Sequence, residues 1–388
     1  MVSLQIHQFY RHYCGEDKMY ECTVEVLCRV GHEVHRMERH SAAILGKPAK
    51  FRAAIEGIYS FGSKRQVARA LSTFRPDIVH AHNLYPSFSP SVFAACKRFG
   101  VPVVMSCHNL RLICPIGVCY AHGTVCERCA KWSECLCVLR NCRGDWAESL
   151  AYAVRAATAR ILHLVRDTVD LLLVPSRFLK QKLVDAGWCP ERIVVLPNTV
   201  LAQNRRPSSG SGSYAAFVGR LSPEKGVDLL LRAAASLPSV PIRLAGVGPL
   251  ARARGEDLPP NIKFVGWLDG ERLADFYANA RFVVVPSECF ETFGLAAAEA
   301  MSYGVPVIAS RIGALPEVVD DNVCGFLCEP GNVKDLAHKI DMLWRNPSLC
   351  SQMGQAGRQK VIGQYSGEAY LNSLIAAYEK AICIVSSN

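Results

Sequence analysis

The feature of this sequence that most restricts its fold is an alternation of short apolar runs and longer helical patterns, which occurs in both halves of the chain. Each run has the length of a buried strand, and most are followed by a helical stretch such as VDLLLRAAASL or ERLADFYANA. The runs are SLQIHQFY, PDIVHAHN, VPVVMSCHN, DLLLVPS and RIVVLPN, then YAAFVG, PIRLAG, NIKFVG, ARFVVVPS and GVPVIAS. Such alternation is typical of parallel sheets, so it predicts two doubly wound α/β domains.

A polar linker separates the two halves. Residues 204–213, NRRPSSGSGS, are rich in Gly and Ser and have no hydrophobic periodicity. The chain of 388 residues is also too long for one ordinary core. We therefore expect a first domain at 1–203 and a second at 214–366, facing a central cleft where ligands bind beyond the carboxyl ends of the strands. The last helical stretch, 367–388, either completes the second domain or crosses back to the first.

Cysteine content and the first residues bear on the compartment. The chain contains 18 cysteines, and MVSLQIHQFYRH lacks the basic start and apolar core of a signal peptide. No apolar run is long enough to cross a membrane. We therefore expect a cytoplasmic protein whose cysteines are thiols, core residues or metal ligands rather than disulfides.

The net charge of +10 comes entirely from the first half. Residues 1–200 contain 26 Lys and Arg against 16 Asp and Glu, whereas residues 201–388 contain 18 of each. The excess favours an anionic partner for the first domain, such as a membrane surface, a phosphorylated substrate or nucleic acid. An uneven but solvated surface explains the same counts.

Two glutamates flank an apolar stretch in the second half, PSECFETFGLAAAEAMSYGVPVIAS. The pattern predicts a strand, a loop containing Glu291, and a helix that begins near Gly294 or Leu295 and contains Glu299. The free amides at such a helix start bind anions, and a glycine there lets a phosphate approach the backbone. From these positions Glu299 can accept hydrogen bonds from ribose hydroxyls, and Glu291 can reach a sugar beyond the phosphates.

Two cations precede this stretch in FVGRLSPEKGVDLLL. Arg220 and Lys225 fall in the turn between the first strand of the second domain and its first helix. Cations at this place can straddle a diphosphate. Plain surface charges would give the same pattern, so the assignment depends on the neighbouring glutamates.

Together these residues resemble the signature of glycosyltransferase family 4, whose members are retaining, hexose-transferring enzymes of the GT-B fold. Glu291 and Glu299 stand at the spacing of that family with FGL and EAMSYGVPVIAS around them, and GRLSPEKG is similar to its phosphate-binding turn. VGW at 265–267 and GALPEVVDDNVCGFL at 313–327 follow the family order, so the resemblance covers nearly the whole chain.

The resemblance implies roles for individual residues. It assigns Arg220 and Lys225 to the diphosphate, Glu299 to the ribose and Glu291 to the hydroxyls of the donor sugar. Further donor contacts are implied for the following residues: Gly266, Phe293, Gly294 and Leu295. In the first half, FYRHYCGED resembles a loop that approaches the donor phosphate and usually reads glycine-glycine, with Cys14 in place of the first glycine. The resemblance implies a donor contact for Gly15, the glycine that is retained.

Three histidines end strand-like runs of the first half. His80 and His82 close PDIVHAH, and His108 closes VPVVMSCH. A histidine at a strand end is often only a satisfied polar residue. The resemblance places His108 nearest the transferred sugar, so we predict a catalytic role for His108 and Glu291. It also implies reaction on one face of the sugar, with the leaving phosphate taking the acceptor proton.

One rival nucleotide-binding pattern is present in the chain and another is absent. GVGPLA after PIRLAG fits a loose dinucleotide fingerprint, but proline follows its second glycine and the strand is not the first of its domain. No Asp-x-Asp occurs, so the magnesium clamp of the other large transferase fold is missing. We expect no cofactor requirement for catalysis.

Eight of the 18 cysteines lie between residues 107 and 142. Cys126 and Cys129 have the spacing of half a zinc site, with Cys114 and Cys142 on either side. We predict that these four cysteines hold a structural zinc ion. Buried thiols and an iron-sulfur cluster are the alternatives.

These observations predict a glycosyltransferase that transfers a sugar from a nucleoside diphosphate donor to a growing, lipid-linked glycan in surface polysaccharide synthesis. The first domain would bind the acceptor and sit on anionic lipid at the inner face of the membrane, with no nucleic-acid partner. The segment predicted to contact lipid contains the following basic and apolar residues: Arg52, Lys64, Arg65, Arg69, Phe51, Ile55, Ile58 and Tyr59. A nucleotide-sugar epimerase and a non-catalytic nucleotide-sugar-binding regulator are the alternatives.

Overall fold

The chain divides into two compact units in the computed structural model. Unit 1 comprises Met1–Cys119, Glu127–Thr199 and Gly367–Asn388, and unit 2 comprises Tyr120–Cys126 and Val200–Ser366. The structure describes residues 1–131, 133–200, 210–250 and 258–387. Most of the predicted linker, residues 204–209, therefore lies outside the described residues.

Unit 1 is built on a six-stranded parallel sheet with the order β2-β1-β3-β4-β7-β8. Its strands are β1 (Val2–Phe9), β2 (Glu33–His40), β3 (Ile78–Ala81), β4 (Val103–Ser106), β7 (Leu171–Val174) and β8 (Ile193–Val195). The antiparallel hairpin of β5 (Tyr120–Ala121) and β6 (Thr124–Val125) interrupts this part of the chain and belongs to unit 2. The neighbours of β1 are β2 and β3, so the winding direction of the sheet reverses at β1.

Seven helices lie between the strands in the part of unit 1 that is described up to residue 200. They are α1 (Gly15–Arg29), α2 (Gly46–Ile58), α3 (Phe61–Phe74), α4 (Phe93–Phe99), α5 (Cys135–Leu139), α6 (Trp146–Ile161) and α7 (Arg177–Asp185). Several begin at a side chain that caps the free amides: Ser60 accepts from Ser63, Asp145 from Glu148 and Ser176 from Leu179.

Unit 2 contains a second six-stranded parallel sheet, with the order β11-β10-β9-β12-β13-β14. Its strands are β9 (Tyr214–Val218), β10 (Ile242–Ala245), β11 (Ile262–Gly266), β12 (Ala280–Val285), β13 (Val307–Ser310) and β14 (Gly325–Cys328). Its described helices are α8 (Val227–Ala235), α9 (Gly270–Ala278), α10 (Leu295–Ser302), α11 (Leu315–Val318), α12 (Val333–Arg345) and α13 (Pro347–Gln364). The winding direction reverses between β9 and β12, the usual ligand-binding point of doubly wound sheets.

Both faces of the unit 2 sheet are buried, which explains the continuous apolar runs in its strands. Ala216, Val283 and Val307 belong to one hydrophobic cluster, while Phe217, Val284 and Ile308 belong to the other. Residues that alternate along a strand point to opposite faces, so consecutive residues in the middle of β9, β12 and β13 are apolar.

The structure confirms the predicted fold class and adds one strand to each sheet. The additional strands, β2 and β14, lie at sheet edges. Strand β2 reads EVHRMERH, is largely exposed and pairs with β1 from Val2↔Glu33 to Phe9↔His40. Because its composition is polar, β2 contains no apolar run from which it could be predicted.

The helix that follows unit 2, α14 (Gly367–Ser386), packs within unit 1. The Tyr378 hydroxyl accepts a hydrogen bond from Gln5 Nε2 at 3.2 Å and lies 2.7 Å from His80 Nδ1. Tyr370 pairs with Thr23 of α1 at 2.7 Å. The sequence left two positions open for this helix, and these buried contacts connect it to unit 1.

Within the described ranges, no helix combines the length and apolar character needed to cross a lipid bilayer.

Candidate functional site

The carboxyl edge of the unit 2 sheet brings together two segments that are far apart in sequence. Strand β9 ends at Val218 and leads into the turn that contains Arg220 and Lys225, while β12 ends at Val285 and leads into the loop that contains Glu291. The strands are adjacent and parallel, so both segments leave the sheet at the same edge. The predicted diphosphate and sugar residues therefore lie at the reversal point of the sheet.

Lys225 and Glu291 form a half-buried ion pair. Lys225 Nζ donates to Glu291 Oε1 at 2.6 Å, and Ser287 Oγ donates to the same oxygen at 2.6 Å. Burial alone raises the pKa of Glu291, but Lys225 and Ser287 more than offset it, so the pKa lies below its ordinary value. Burial lowers the pKa of Lys225, while Glu291 raises it above the ordinary value. Both groups are therefore ionised near neutral pH.

A glycine holds the two segments together. Gly226 adopts φ 69°, and a Cβ atom there would lie 1.8 Å from the carbonyl oxygen of Pro286. The amides of Glu288 and Cys289 also donate to the Glu224 carbonyl, at 3.0 and 3.2 Å. The position of Lys225 against Glu291 is thus determined by backbone contact as well as by charge.

Arg220 is the exposed member of the site. Its side chain is 61% exposed and forms a 3.5 Å ion pair with Glu224, four residues later. A pair of this kind contributes little to stability in water. The guanidinium can therefore turn toward an anion at low cost.

Glu299 lies in α10 and is only 8% exposed. The Tyr277 hydroxyl of α9 donates to Glu299 Oε2 at 2.8 Å. Burial, followed by the charge of Glu299, raises the pKa of Tyr277 well above its ordinary value, so Tyr277 remains a hydrogen-bond donor. Tyr277 and Ser287 were not identified from the sequence. The only signal for Tyr277 was its place on the apolar side of ERLADFYANA.

The remaining predicted donor residues of unit 2 occupy different kinds of position. Gly294 precedes α10 with φ 102°, and Leu295 is its first residue. Phe293 is buried and packs edge-on against Tyr365, with ring centroids 5.2 Å apart, so its side chain belongs to the core. Gly266 ends β11. Their contacts with a donor stay predictions.

The rival GVG pattern has a structural explanation. A Cβ atom at Gly246 would lie 1.8 Å from the Gly219 carbonyl oxygen, and one at Gly248 would lie 2.2 Å from that of Leu221. Leu221 N donates to the Val247 carbonyl at 3.0 Å. The glycines thus allow this segment to pair with the turn that contains Arg220, and Ala251 of the pattern lies outside the described residues.

Unit 1 has a cavity of about 110 Å³ at the carboxyl ends of β3 and β4. His108 and His82 both line it, with His82 Nδ1 3.3 Å from His108 Nε2. Burial lowers the pKa of His108 to about 4, a shift that Glu16 partly opposes. His108 is therefore a neutral imidazole at pH 7, able to exchange hydrogen bonds without carrying charge.

His80 has a structural role. Its Nδ1 lies 2.7 Å from the Tyr378 hydroxyl and its Nε2 lies 2.8 Å from Ser106 Oγ. Burial lowers its pKa to about 3, so His80 is neutral. One of its ring nitrogens donates a hydrogen bond in the core and the other accepts one. His82 is also fully buried and contacts Gln5 Oε1 at 3.2 Å.

The predicted first loop leads from β1 into α1, with Cys14 as the capping residue and Gly15 as the first helical residue. Cys14 N donates to Asp17 Oδ2 at 3.0 Å, and Asp17 Oδ1 lies 2.8 Å from His7 Nε2. Burial, followed by Glu16 and Asp17, raises the pKa of the Cys14 thiol. Cys14 is therefore an uncharged capping residue, and donor contact by Gly15 stays a prediction.

The predicted zinc site is wrong. In the described part of the chain, no group of three or more His, Cys, Asp or Glu side chains is placed to hold a metal ion. The set of Cys114, Cys126, Cys129 and Cys142 is therefore not assembled. The structure instead pairs Cys114 with Cys119, whose hydrogen bond is the largest cause of a Cys114 pKa of about 6. The reason is a reversal in which Leu110 N donates to the Gly117 carbonyl at 3.1 Å, which returns Cys119 toward Cys114.

Comparison with solved structures identifies the fold as GT-B. Sucrose-phosphate synthase from Thermosynechococcus elongatus has a TM-score of 0.74 at 19% identity, over 99% of this chain and 100% of that protein. Anabaena HepE in complex with UDP has a TM-score of 0.69 at 18% identity, over 98% of this chain and 100% of that protein. At these identities the similarity establishes the architecture alone.

Comparison of sequences identifies the family. Residues 203–360 match the model for glycosyl transferases group 1, and residues 20–199 match a glycosyl transferase 4-like domain. D-inositol 3-phosphate glycosyltransferase of Mycolicibacterium smegmatis is 36% identical over 343 residues, 81% of this chain and 70% of that protein. The chain belongs to the group 1 glycosyltransferases, family 4.

Not all relatives are matched along their full length. Sulfoquinovosyl transferase SQD2 of Arabidopsis thaliana is 28% identical over 367 residues, which is 87% of this chain but 63% of that protein. The first relatives are matched over 57% to 63% of their own length.

Proposed function

We propose that this protein is a retaining glycosyltransferase that moves a hexose from a nucleoside diphosphate sugar to a growing glycan. The observation that carries the proposal is the ion pair of Lys225 and Glu291, 2.6 Å apart at the reversal point of the unit 2 sheet, with Glu299 in the helix that follows. Family membership supports the reaction class. Anabaena HepE, whose structures contain UDP and UDP-glucose, supports the donor class.

In this proposal the two cations bind the diphosphate. The Lys225 ammonium has three N–H donors and uses one for Glu291, so others remain for phosphate oxygens. The exposed Arg220 guanidinium supplies a planar pair of donors. Glu299 would accept hydrogen bonds from ribose hydroxyls, and the ionised Glu291 from hydroxyls of the donor sugar.

The reaction then follows from where charge develops. The acceptor hydroxyl attacks the anomeric carbon from the face that the diphosphate leaves, so the configuration is retained. As the bond from that carbon to the phosphate oxygen breaks, the departing oxygen takes the acceptor proton. Arg220 and Lys225 stabilise the growing negative charge on the diphosphate. The neutral His108 would hydrogen-bond the sugar in the acceptor-binding unit.

Analysis of products after incubation with a panel of nucleoside diphosphate hexoses tests this function. A new glycosidic bond with the donor configuration supports it. Conversion of one nucleotide sugar into another without transfer would indicate an epimerase, and binding without turnover would indicate a regulator. Glu291→Gln should lower turnover with nearly unchanged nucleoside diphosphate affinity, whereas equal loss of both would contradict the sugar assignment.

We also propose that the acceptor is a lipid-linked glycan of surface polysaccharide synthesis and that unit 1 contacts the cytoplasmic membrane surface. Phe51 and Ile55 of α2 and Phe61 of α3 support this, because they are 70%, 52% and 70% exposed. Arg65 and Arg69 are exposed on α3, whereas Arg52 is engaged with Glu56 at 2.8 Å. Anionic lipid attracts each nearby cation by about 1 kcal/mol.

Co-sedimentation with vesicles tests the membrane contact. Binding should increase with anionic lipid content and decrease with salt, because surface charges are screened within about 10 Å at 0.1 M. Phe51→Asp should weaken binding, whereas Ile362→Asp, at an apolar residue of unit 2 that is 47% exposed, should not. Absence of binding at low salt would contradict the proposal.

A further inference from the structure

Two arginines of unit 1 line the cavity that also contains His108. Arg111 follows β4, and Arg155 lies in α6. Both guanidinium groups lie over the ring of Tyr85, with Cζ 5.4 Å from the centroid for Arg111 and 4.1 Å for Arg155. Arg155 Cζ is also 4.3 Å from the centroid of Tyr152. Aromatic faces thus hold both cations at the cavity.

The hydrogen-bond partners of these arginines are neutral. Arg111 donates from Nη1 to Asn83 Oδ1 at 2.8 Å and from Nη2 to the Tyr10 hydroxyl at 3.0 Å. Arg155 donates from Nη2 to the Pro115 carbonyl at 3.0 Å. Among the described residues, neither arginine forms an ion pair with a carboxylate, and the buried Arg111 Nε has no hydrogen-bond partner.

Such an arrangement is costly without a ligand. Arg155 is only 7% exposed, and a buried charge that lacks a counter-charge loses most of its hydration. Burial lowers the pKa of Arg155, and the neighbouring charge of Arg111 lowers it further. An anion between the two groups would remove both penalties.

The acidic residues of the cavity are already engaged. Glu134 binds Arg160 through two hydrogen bonds, of 2.6 and 2.8 Å. Glu16 accepts from the Tyr10 hydroxyl at 2.9 Å and from Asn109 Nδ2 at 2.7 Å, and its charge helps raise the pKa of Arg111, so Arg155 is the arginine that lacks a counter-charge. Since Arg166 lines the cavity as well, its walls carry an excess of positive charge.

We propose that Arg111 and Arg155 bind an anionic oxygen group, a phosphate or a carboxylate, on the sugar acceptor. The inference deepens the proposed function and rests on it, because it names the class of acceptor. A guanidinium presents donors in the planar spacing that both groups accept. The cavity of about 110 Å³ exceeds several-fold the roughly 10–15 Å³ that one water needs, so a group of this size fits.

The anion is assigned to the acceptor rather than to the donor. The donor diphosphate already has two cations in unit 2, Arg220 and Lys225. Arg111 and Arg155 belong to unit 1, in the cavity lined by the histidine that the family resemblance places nearest the transferred sugar. The substrate that needs these two further cations is therefore the one that receives the sugar.

Calorimetric titration of the whole protein without donor tests the inference. The probes are inorganic phosphate, glucose 6-phosphate, glucuronate and glucose. We expect at least tenfold tighter binding of the anionic probes than of glucose, and the stronger of glucose 6-phosphate and glucuronate identifies phosphate or carboxylate as the natural group. Equal affinity for glucose and the anionic sugars would overturn the proposal.

Variants separate this site from the donor site. Arg155→Gln and Arg111→Gln should each lower affinity for the anionic probes at least tenfold and leave UDP affinity unchanged. Arg143→Gln is the matched control, since Arg143 lies over the same Tyr152 ring at 4.9 Å but pairs with Glu148 and does not line the cavity. Unchanged anion affinity in the Arg155 variant would overturn the inference.

A second variant at Arg155 and a nucleoside diphosphate titration of the wild-type protein cover the cases in which Arg155→Gln does not fold or the proposed function is wrong. If Arg155→Gln does not fold, Arg155→Lys keeps the charge without the planar fork and should still lose several-fold in anion affinity; wild-type affinity would contradict the assignment. Failure of the proposed function has a different signature, because none of the nucleoside diphosphates of the donor panel would then bind to the wild-type protein. The anion titrations use no donor, and the loss of affinity in the Arg111 and Arg155 variants distinguishes binding in unit 1 from phosphate binding at Arg220 and Lys225.

Discussion

The two units have the same sheet architecture, but the cations at their candidate sites have different partners. In unit 2, Lys225 already has the carboxylate of Glu291 as its partner, and a backbone contact at Gly226 determines its position. In unit 1, Arg111 and Arg155 have neutral partners at the edge of a cavity. The comparison shows that the unit 2 cation is paired with a carboxylate in the protein itself, whereas in our proposal the unit 1 arginines would receive a direct anionic partner from the ligand.

The largest effect is expected from Gly226→Ala, which would disturb the backbone contact that positions Lys225 in unit 2. A side chain at φ 69° is strained, and its Cβ would overlap the Pro286 carbonyl oxygen at 1.8 Å. We expect unit 2 to lose at least about 3 kcal/mol, the upper end for backbone strain alone. Urea unfolding measures the loss. Gly363→Ala is the control, because a Cβ atom added to that helical glycine would meet no heavy atom within 4 Å outside its own helix backbone and chain neighbours. Similar stability of the two variants would show that Gly226 does not hold the site.

An intermediate effect is expected from Arg220→Ala. Loss of a charge-assisted hydrogen bond costs about 1.5–3 kcal/mol, so affinity for the cognate nucleoside diphosphate should decrease roughly 10- to 150-fold without unfolding. Calorimetric titration measures it. Arg345→Ala is the control, since Arg345 also pairs with a carboxylate four residues away, Asp341, at 2.8 Å. Wild-type affinity in the Arg220 variant would remove it from the diphosphate site.

The smallest expected effect is the pH dependence of stability that comes from the ion pair of Lys225 and Glu291. The pKa of Glu291 is lowered in the folded protein, so its contribution to stability is present above the unfolded value near 4.5 and is lost as pH decreases through the folded value. Below pH 4.5 the wild type should therefore lose on the order of 1 kcal/mol more than Glu291→Gln. Thermal unfolding from pH 7 to pH 3 measures this difference. Parallel curves would show that Glu291 gains no stability from Lys225.

The two units also differ in how much of them the sequence predicted. Apolar runs identified the central strands of both sheets, because those strands are buried on both faces. They did not identify the edge strands β2 and β14, one of which is polar and exposed and the other of which has four residues. An exposed edge strand such as β2 needs no continuous apolar run, whereas the opposite edge strands, β8 and β11, contain apolar runs and were identified.

The candidate sites show the same division. In unit 2 the residues near Lys225 and Glu291 follow strand ends that the sequence pattern locates, so their meeting could be predicted. In unit 1, Arg111 and Arg155 both lie over the Tyr85 ring. The three residues come from separate segments of the chain, so no local spacing in the sequence predicts that they meet. The cysteine spacing misled for a related reason, because a reversal near Gly117 and not the Cys126–Cys129 interval decides which thiols meet.

The course of α14 affects the order in which the protein can assemble during translation. Unit 1 has its longer interruption at Thr199, and its last helix begins only at Gly367, after all of unit 2. Until that helix leaves the ribosome, Gln5 and His80 lack the Tyr378 hydroxyl that satisfies them in the core. We therefore expect unit 1 to stay incompletely folded, and able to bind chaperones, until α14 is synthesised. Unit 2, although most of it is synthesised later, can complete its hydrophobic core first.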